Sequence, residues 1–141
     1  MENNNLELAV KTLSNEFSCV VVNNNTILHS FYGNGLKPLW QFCREYSCDL
    51  YGAAVADKII GKAAAALFIV HDAAEVYGAL MSRPALEWLT QHGVVCRYGK
   101  LCDFISNRDG TGLCPMELLI KDCNTPGQAV EILKKRLETG C

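Results

Sequence analysis

The chain has 141 residues, the usual size of one domain, and we expect residues 1–141 to form a single domain. Half of its residues are apolar and 20% are charged, a composition that excludes a disordered or low-complexity chain. Thirteen basic and fifteen acidic residues give a formal net charge of −2. The chain therefore lacks the positive excess that holds a nucleic-acid backbone, and we expect no nucleic-acid partner.

The cysteines and the apolar runs indicate in which cellular compartment the protein is found. The eight cysteines are scattered and make up about 6% of the chain, below the density of a disulfide scaffold. No two of them have two residues between them, a spacing typical of paired zinc ligands. The first residues are neither basic nor apolar, so we expect no secretory signal, and the longest apolar run, Ala63 to Val70, is too short to cross a bilayer. These features predict a cytoplasmic protein with reduced thiols and no membrane partner.

The first third of the chain predicts a helix, a hairpin and a second helix. Apolar residues recur at helical spacing between Leu6 and Phe17. Two runs, Ser18 to Val22 and Thr26 to Tyr32, have the composition of strands, and the three asparagines between them tolerate the backbone of a tight turn. Pro38 suits the first turn of the helix that follows.

The central third predicts alternating strands and helices. The start of Gly52 to Ile60 indicates a buried strand, and Ala63 to Val70 shows no polar face, which is typical of a helix covered on all sides. Glu75 to Met81 and Val94 to Tyr98 indicate further strands, with a helix capped by Ser82 between them. Short connections of this kind require crossovers and therefore a parallel portion of sheet.

The last third predicts a loop, a short segment and a final helix. The loop runs from Ser106 to Gly112, and the short apolar segment begins at Cys114. The helix begins after Thr125, where a capping threonine, a proline and a reciprocal glutamine follow one another. The chain is therefore expected to be an α/β protein.

The first candidate site is the segment Asp57 to Ala63, with Asp57, Lys58, Gly61 and Lys62 as candidate ligand-binding residues. Lys62 directly follows Gly61 at the start of the apolar helix, where an ammonium group beside unpaired backbone N–H groups attracts phosphate or carboxylate. The glycine spacing does not match a nucleotide P-loop, and Ala63 stands where the magnesium-binding hydroxyl would be. In the alternative interpretation, Lys62 is a surface lysine and Asp57 only caps the helix.

The second candidate site is the segment from Asn107 to Glu117, in which Asn107, Arg108 and Gly110 are further candidate ligand-binding residues. Cys114 directly precedes a proline that opens a helix or a turn, where backbone N–H groups, and Arg108 if it folds close, would favour the thiolate. Glu117 lies one turn further on and could carry a proton if burial raises its pKa. In the alternative interpretation, Cys114 is an inert packed thiol and Glu117 accepts from helical N–H groups.

Three segments carry a resemblance to a known family: GAAVADKIIGKAAA from Gly52, NRDG from Asn107 and CPME from Cys114. Together with the order of elements, they resemble an uncharacterised prokaryotic domain family, a domain of unknown function that is placed in the cytidine-deaminase-like superfamily. The resemblance runs from about Leu6 to about Leu137. It implies a three-layer α/β/α sandwich with a mixed sheet.

The zinc deaminases of that superfamily carry His or Cys, one residue and Glu at one helix start, and Pro-Cys-x-x-Cys at the next. The corresponding starts in this chain are Gly61 to Ala64, with no ligand or carboxylate, and Arg83 to Glu87, with the proline but no cysteine. Cys114 and Glu117 are one residue too far apart for the first pattern. Because a catalytic zinc needs three protein ligands, we expect no metal, no cofactor and no zinc-dependent deamination.

These observations predict a metal-free domain that binds a small anionic or nucleotide-like ligand where the two segments converge. Lys62 and Arg108 would hold the negative group, and the backbones of Gly61 and Gly110 would allow its close approach. Asp57 would orient a hydroxyl or an amine.

Glu117 could also orient such a group. Two alternatives from other classes of function stay open. One is an enzyme in which Cys114 is the nucleophile and Glu117 carries the proton. The other is an interaction module that buries apolar surface in a homodimer.

Overall fold

The computed structural model describes residues 4–13, 17–33, 35–106 and 110–139. The strands within these ranges are β1 (Cys19–Asn23), β2 (Thr26–Phe31), β3 (Ala54–Ile60), β4 (Glu75–Ser82) and β5 (Val95–Cys102). The helices are α1 (Asn5–Thr12), α2 (Lys37–Leu50), α3 (Lys62–Val70), α4 (Arg83–Gln91), α5 (Pro115–Leu119) and α6 (Pro126–Thr139).

The strands form one mixed sheet in the order β2-β1-β3-β4-β5. β1 is antiparallel to both β2 and β3, whereas β3, β4 and β5 are parallel to one another. The parallel strands are joined through α3 and α4, as the short connections require. The α/β class and the mixed sheet are therefore confirmed.

The hairpin turns at the asparagines, as predicted. Asn24 and Asn25 have φ angles of 51° and 57°, the left-handed conformation that asparagine adopts at a lower cost than most residues. Such a two-residue turn matches the twist of an antiparallel pair. It fixes β2 at one edge of the sheet, with β1 inside it.

Helices cover both faces of the sheet, which gives the three layers that were expected. On one face, Ala9 of α1 packs against Val20, Val22 and Ala56. On the other face, the larger core contains α2, α3 and α4, and α6 packs beside α3. The side chains of residues 63–68 in α3 are buried, as expected of a helix covered on all sides, whereas Val70 at its end is exposed.

The strand β5 is longer than its apolar pattern predicts, because it continues to Cys102 rather than ending at Tyr98. Its second half contains Gly99 and Lys100, which are exposed on this edge strand. A strand at an edge need not alternate between apolar and polar residues, so the pattern underestimates its length.

The start of α6 has the predicted threonine cap, whereas the reciprocal glutamine accepts from the residue before the threonine. The Gln128 N–H donates to Thr125 Oγ1 at 3.1 Å, and the Asn124 N–H donates to Gln128 Oε1 at 3.0 Å.

Replacing this capping hydroxyl should therefore have a measurable cost. We expect Thr125→Ala to lower the free energy of unfolding by about 1 kcal/mol, and Thr125→Ser to restore most of it. Urea denaturation followed by circular dichroism measures both, and equal stability of the alanine and serine variants would contradict the assignment.

In the described part of the chain, no helix combines the length and the apolar character that spanning a membrane requires.

Candidate functional site

A cavity of about 740 Å³ opens where β3 ends and α3 begins. Because β1 runs antiparallel to β3, Cys19 at the start of β1 and Ser18 just before it lie at the same edge. Much of the wall is apolar and includes Phe31, Leu36 and Met116. Ligands of α/β proteins bind beyond the carboxyl ends of parallel strands, and this volume lies in the ordinary range for a small-molecule site.

Both segments that the sequence singles out reach this cavity. Asp57, Lys58 and Gly61 line it from β3 and the turn that follows, and Cys114 and Glu117 line it from the start of α5. An isolated antiparallel bridge pairs Ser106 with Leu113, the residue before Cys114.

The other candidate residues are placed differently. Lys62 and Gly110 are not among the residues that line the cavity, and Gly110 is exposed. The predictions for Asn107 and Arg108 fall outside the described residues.

The carboxylate of Glu117 lies at the first turn of α3. Its Oε1 accepts from the Lys62 N–H at 2.7 Å, and its Oε2 accepts from the Ala63 N–H at 2.8 Å. The side chain is only 9% exposed, and this burial raises the pKa of Glu117, while the two N–H donors and the Lys62 ammonium act in the opposite direction. An internal carboxylate therefore binds the N–H groups that were expected to meet an external anion.

Gly61 makes this close approach of Glu117 possible. Its φ of −100° and ψ of −174° are open to any residue, so the backbone does not require glycine. A Cβ atom at this position, however, would lie 2.6 Å from Glu117 Cδ. A side chain at position 61 would therefore displace the Glu117 carboxylate from the first turn of α3.

The ammonium group of Lys62 points to the connection between α5 and α6. Nζ donates to the carbonyl oxygens of Lys121 at 2.9 Å and Cys123 at 3.0 Å. It also lies 4.5 Å from the ring centroid of Trp88, a favourable cation–π distance. This geometry revises the expectation that Lys62 would hold a ligand, because its donors already join α3 to the turn after α5.

Asp57 and Cys19 form a polar pair in the cavity wall. They are directly opposite each other in the β1–β3 register, and the thiol acts on the carboxylate as a hydrogen-bonding neighbour that lowers its pKa. The Ile59 N–H also donates to Asp57 Oδ1, at 3.2 Å. Burial raises the pKa of Asp57 to about 7, although these donors oppose the rise. Asp57 lies inside β3, so it is not the helix cap of the alternative interpretation.

The same pairing affects the thiol. Burial and the adjacent Asp57 carboxylate both raise the pKa of Cys19 well above its ordinary value. Cys19 is therefore a neutral hydrogen-bond donor at physiological pH. The sequence does not single out Cys19, because only the register between distant strands places it beside Asp57.

The residues at the two helix starts do not fit a zinc ion. Gly61 and Ser82 are the N-caps of α3 and α4, and neither first turn offers a histidine or cysteine ligand. In the ranges that the structure describes, no three His, Cys, Asp or Glu residues are grouped so that they could hold a metal.

Comparisons with known proteins identify the family. Residues 8–137 match the family TM1506, described as a domain of unknown function (DUF1893). The crystal structure of a DUF1893 family protein (TM1506) from Thermotoga maritima is similar to this chain, with a TM-score of 0.85 and 26% sequence identity. The similarity covers 94% of this chain and 90% of that one.

A second solved structure is a diaminohydroxyphosphoribosylaminopyrimidine deaminase/5-amino-6-(5-phosphoribosylamino)uracil reductase, also from Thermotoga maritima. Its TM-score is 0.45 and its identity 18%, over 83% of this chain and 39% of that one. Placement in the deaminase-like superfamily therefore stays a hypothesis. A comparison with curated proteins gives no match. The family match covers nearly the whole chain, which therefore belongs to the TM1506 family of domains of unknown function (DUF1893).

Proposed function

We propose that this protein binds a small anionic or nucleotide-like ligand in the cavity at the end of β3. The observation that carries the proposal is the composition of the cavity wall, in which apolar side chains surround a few polar groups from distant segments. Such a mixture is typical of sites for small molecules, because apolar walls supply affinity and a few polar groups supply orientation.

The charged group of the ligand is assigned to Lys58. Among the described residues it is the basic side chain that lines the cavity. Arg108 stays a proposed second contact, since it follows Ser106, a lining residue, by two positions in the sequence. The ligand does not bind to the first turn of α3, because the Glu117 carboxylate already accepts hydrogen bonds from the N–H groups there.

A flat ring suits the remainder of the cavity. Phe31, Leu36 and Met116 offer apolar surface to such a ring, and Asp57 can orient an N–H or hydroxyl group on its edge. At neutral pH a carboxyl whose pKa is about 7 can either donate or accept a hydrogen bond. These features support a nucleotide-like ligand rather than a bare anion.

Thermal-shift measurements with nucleoside phosphates and sugar phosphates test the proposal. A ligand present at 100 times its dissociation constant should stabilise the fold by about 2.7 kcal/mol. Lys58→Ala should remove most of this shift, whereas the exposed Lys134→Ala should leave it unchanged. No shift with any of these compounds, or an undiminished shift in Lys58→Ala, would overturn the proposal.

A second candidate function is nucleophilic catalysis by Cys114, because this half-buried thiol lines the same cavity. Both oxygens of Glu117 accept hydrogen bonds from backbone N–H groups of α3, so this carboxylate is poorly placed to carry a proton. Asp57 would be the better acceptor of the proton from the thiol. Alkylation with iodoacetamide should then be faster at Cys114 than at the exposed Cys48 near pH 7. Equal rates at the two cysteines would exclude this candidate.

The homodimer hypothesis rests on the sheet edges. Val95 and Tyr98 of β5 are more than two-fifths exposed, and Ile27 of β2 is equally exposed at the opposite edge. Exposed edge strands offer unpaired backbone groups to a second chain. Sedimentation velocity over a range of concentrations tests this hypothesis, and a monomer throughout would reject it.

A further inference from the structure

The carboxyl group of Asp57 lines the cavity and forms no ion pair with a described residue. The ion pairs of the described residues are formed elsewhere, by His29–Asp49, Arg44–Glu138 and Arg83–Asp103. The Asp57 carboxyl itself accepts from the Ile59 N–H of β3 and has the neutral Cys19 thiol as a hydrogen-bonding neighbour. An ionised carboxylate in this position is therefore hydrogen-bonded but not neutralised by the described residues.

Among the described residues, the other titratable groups that line the cavity form no ion pair with Asp57. From β1, Cys19 is neutral, and from α5, Glu117 carries the same sign as Asp57 and is bound to α3. Cys114 carries no positive charge in either protonation state. Lys58 follows Asp57 on β3 and lines the same cavity, but the two side chains do not form an ion pair.

We propose that the ligand of this cavity carries a cationic nitrogen group, an amidinium or a protonated amine, that pairs with Asp57. The inference rests on the proposed function and deepens it: the ligand has an anionic end at Lys58 and a cationic or N–H-rich edge at Asp57. An amidinium matches a carboxylate especially well, because two parallel N–H donors meet two oxygens.

Pairing requires the ionised form of Asp57. Where the carboxyl holds a proton, binding of the cation releases that proton to solvent, so that the total charge is conserved. A carboxyl with a pKa of about 7 is mostly ionised at pH 8 and mostly protonated at pH 6. The apparent affinity is proportional to the fraction of molecules in which Asp57 is ionised. Binding should therefore be about tenfold weaker at pH 6 than at pH 8.

Benzamidine is a suitable probe, with benzamide as its neutral analogue of the same shape. Titrations followed by ¹⁵N–¹H correlation spectra should show benzamidine shifting the amide signals of residues 57–61. The apparent Kd should rise about tenfold from pH 8 to pH 6. Benzamide should bind at least about tenfold more weakly than benzamidine at pH 8, because it cannot form the charged pair.

Asp57→Asn is the decisive variant, and Asp72→Asn is its matched control on an exposed turn. Asp57→Asn should weaken benzamidine binding at least about tenfold at pH 8 and remove its pH dependence, whereas Asp72→Asn should change neither. If Asp57→Asn fails to fold, Cys19→Ala provides the test. Loss of that thiol donor raises the pKa of Asp57 further and should move the midpoint of binding to higher pH.

The two proposals fail in different ways. Benzamidine that binds no better than benzamide at pH 8, or equally well to Asp57→Asn, would overturn the cationic pairing. The thermal shift with anionic compounds would be unaffected by that result. Conversely, benzamidine binding that depends on Asp57, without any response to phosphates or to Lys58→Ala, would overturn the anionic part of the proposed function alone.

Discussion

Replacing Glu117 with alanine should lower the free energy of unfolding by about 3 kcal/mol. The substitution leaves the Lys62 and Ala63 N–H groups at the first turn of α3 without their acceptor. Each buried donor that loses its partner costs about 1–3 kcal/mol. The sum is reduced because water from the adjoining cavity can reach the site, and because the cost of burying the carboxylate is also removed. Urea unfolding of both proteins gives the difference directly.

Glu117→Gln is the matched control for this prediction. The glutamine amide keeps one oxygen acceptor of the same size but places an NH₂ group against the second N–H donor. We therefore expect the free energy of unfolding of Glu117→Gln to lie between that of the wild type and that of Glu117→Ala. If both variants were as stable as the wild type, the carboxylate would not be an important cap of α3.

A double-mutant cycle with Gly61 tests whether the contact itself is responsible. Gly61→Ala should cost about 2 kcal/mol in the wild type, because its Cβ would overlap the Glu117 carboxylate. In the Glu117→Ala background the overlap is gone, so the same substitution should cost less than half as much. Additive effects of the two substitutions would show that Gly61 and Glu117 act independently.

The elements of the fold could be predicted because their signals are local. The asparagine turn of the hairpin and the capping arrangement at Thr125 each involve residues within a few positions of one another. The same is true of α3, whose uninterrupted apolar run already shows that it is covered. Signals of this kind need no knowledge of which segments meet in space.

The candidate site could be predicted only in part, because its contacts are long-range. The sequence shows that the start of α3 attracts an anion, but a helix start accepts an external anion and a protein carboxylate for the same physical reason. Nothing local shows that Glu117 fills this place or that Lys62 turns away from it. Likewise, the pairing of Cys19 with Asp57 depends on strand register, which no local pattern specifies.

Asp57→Asn should stabilise the protein at pH 8 and leave its stability nearly unchanged at pH 4. The pKa of this carboxyl rises from an ordinary value of 3.8 to about 7 in the folded chain. Between these two values the unfolded chain loses the proton while the folded chain keeps it, so wild-type stability falls as the pH rises. This decrease in the free energy of unfolding is complete above about pH 7 and amounts to at most about 4 kcal/mol.

Because Asp57 is only half-buried and solvent enters the cavity, we expect a measured gain of about 2 kcal/mol at pH 8. Asparagine keeps the size of the side chain but does not titrate, so the gain should shrink steadily as the pH falls towards 4. Chemical denaturation at several pH values measures it, with the exposed Asp72→Asn as a control. A gain that does not vary with pH, or a loss at pH 8, would show that burial does not penalise this carboxylate.

A side chain that lowers stability in the wall of a cavity is expected where function rather than folding requires it. If a cationic ligand group neutralises Asp57, saturating benzamidine should stabilise the wild type more at pH 8 than at pH 6. Asp57→Asn should gain less stability from benzamidine than the wild type does at pH 8, and the same amount at pH 6 as at pH 8, since its neutral amide has no charge to be paired. The stability cost and the binding of a cation would then have one cause, the unneutralised carboxylate in the cavity wall.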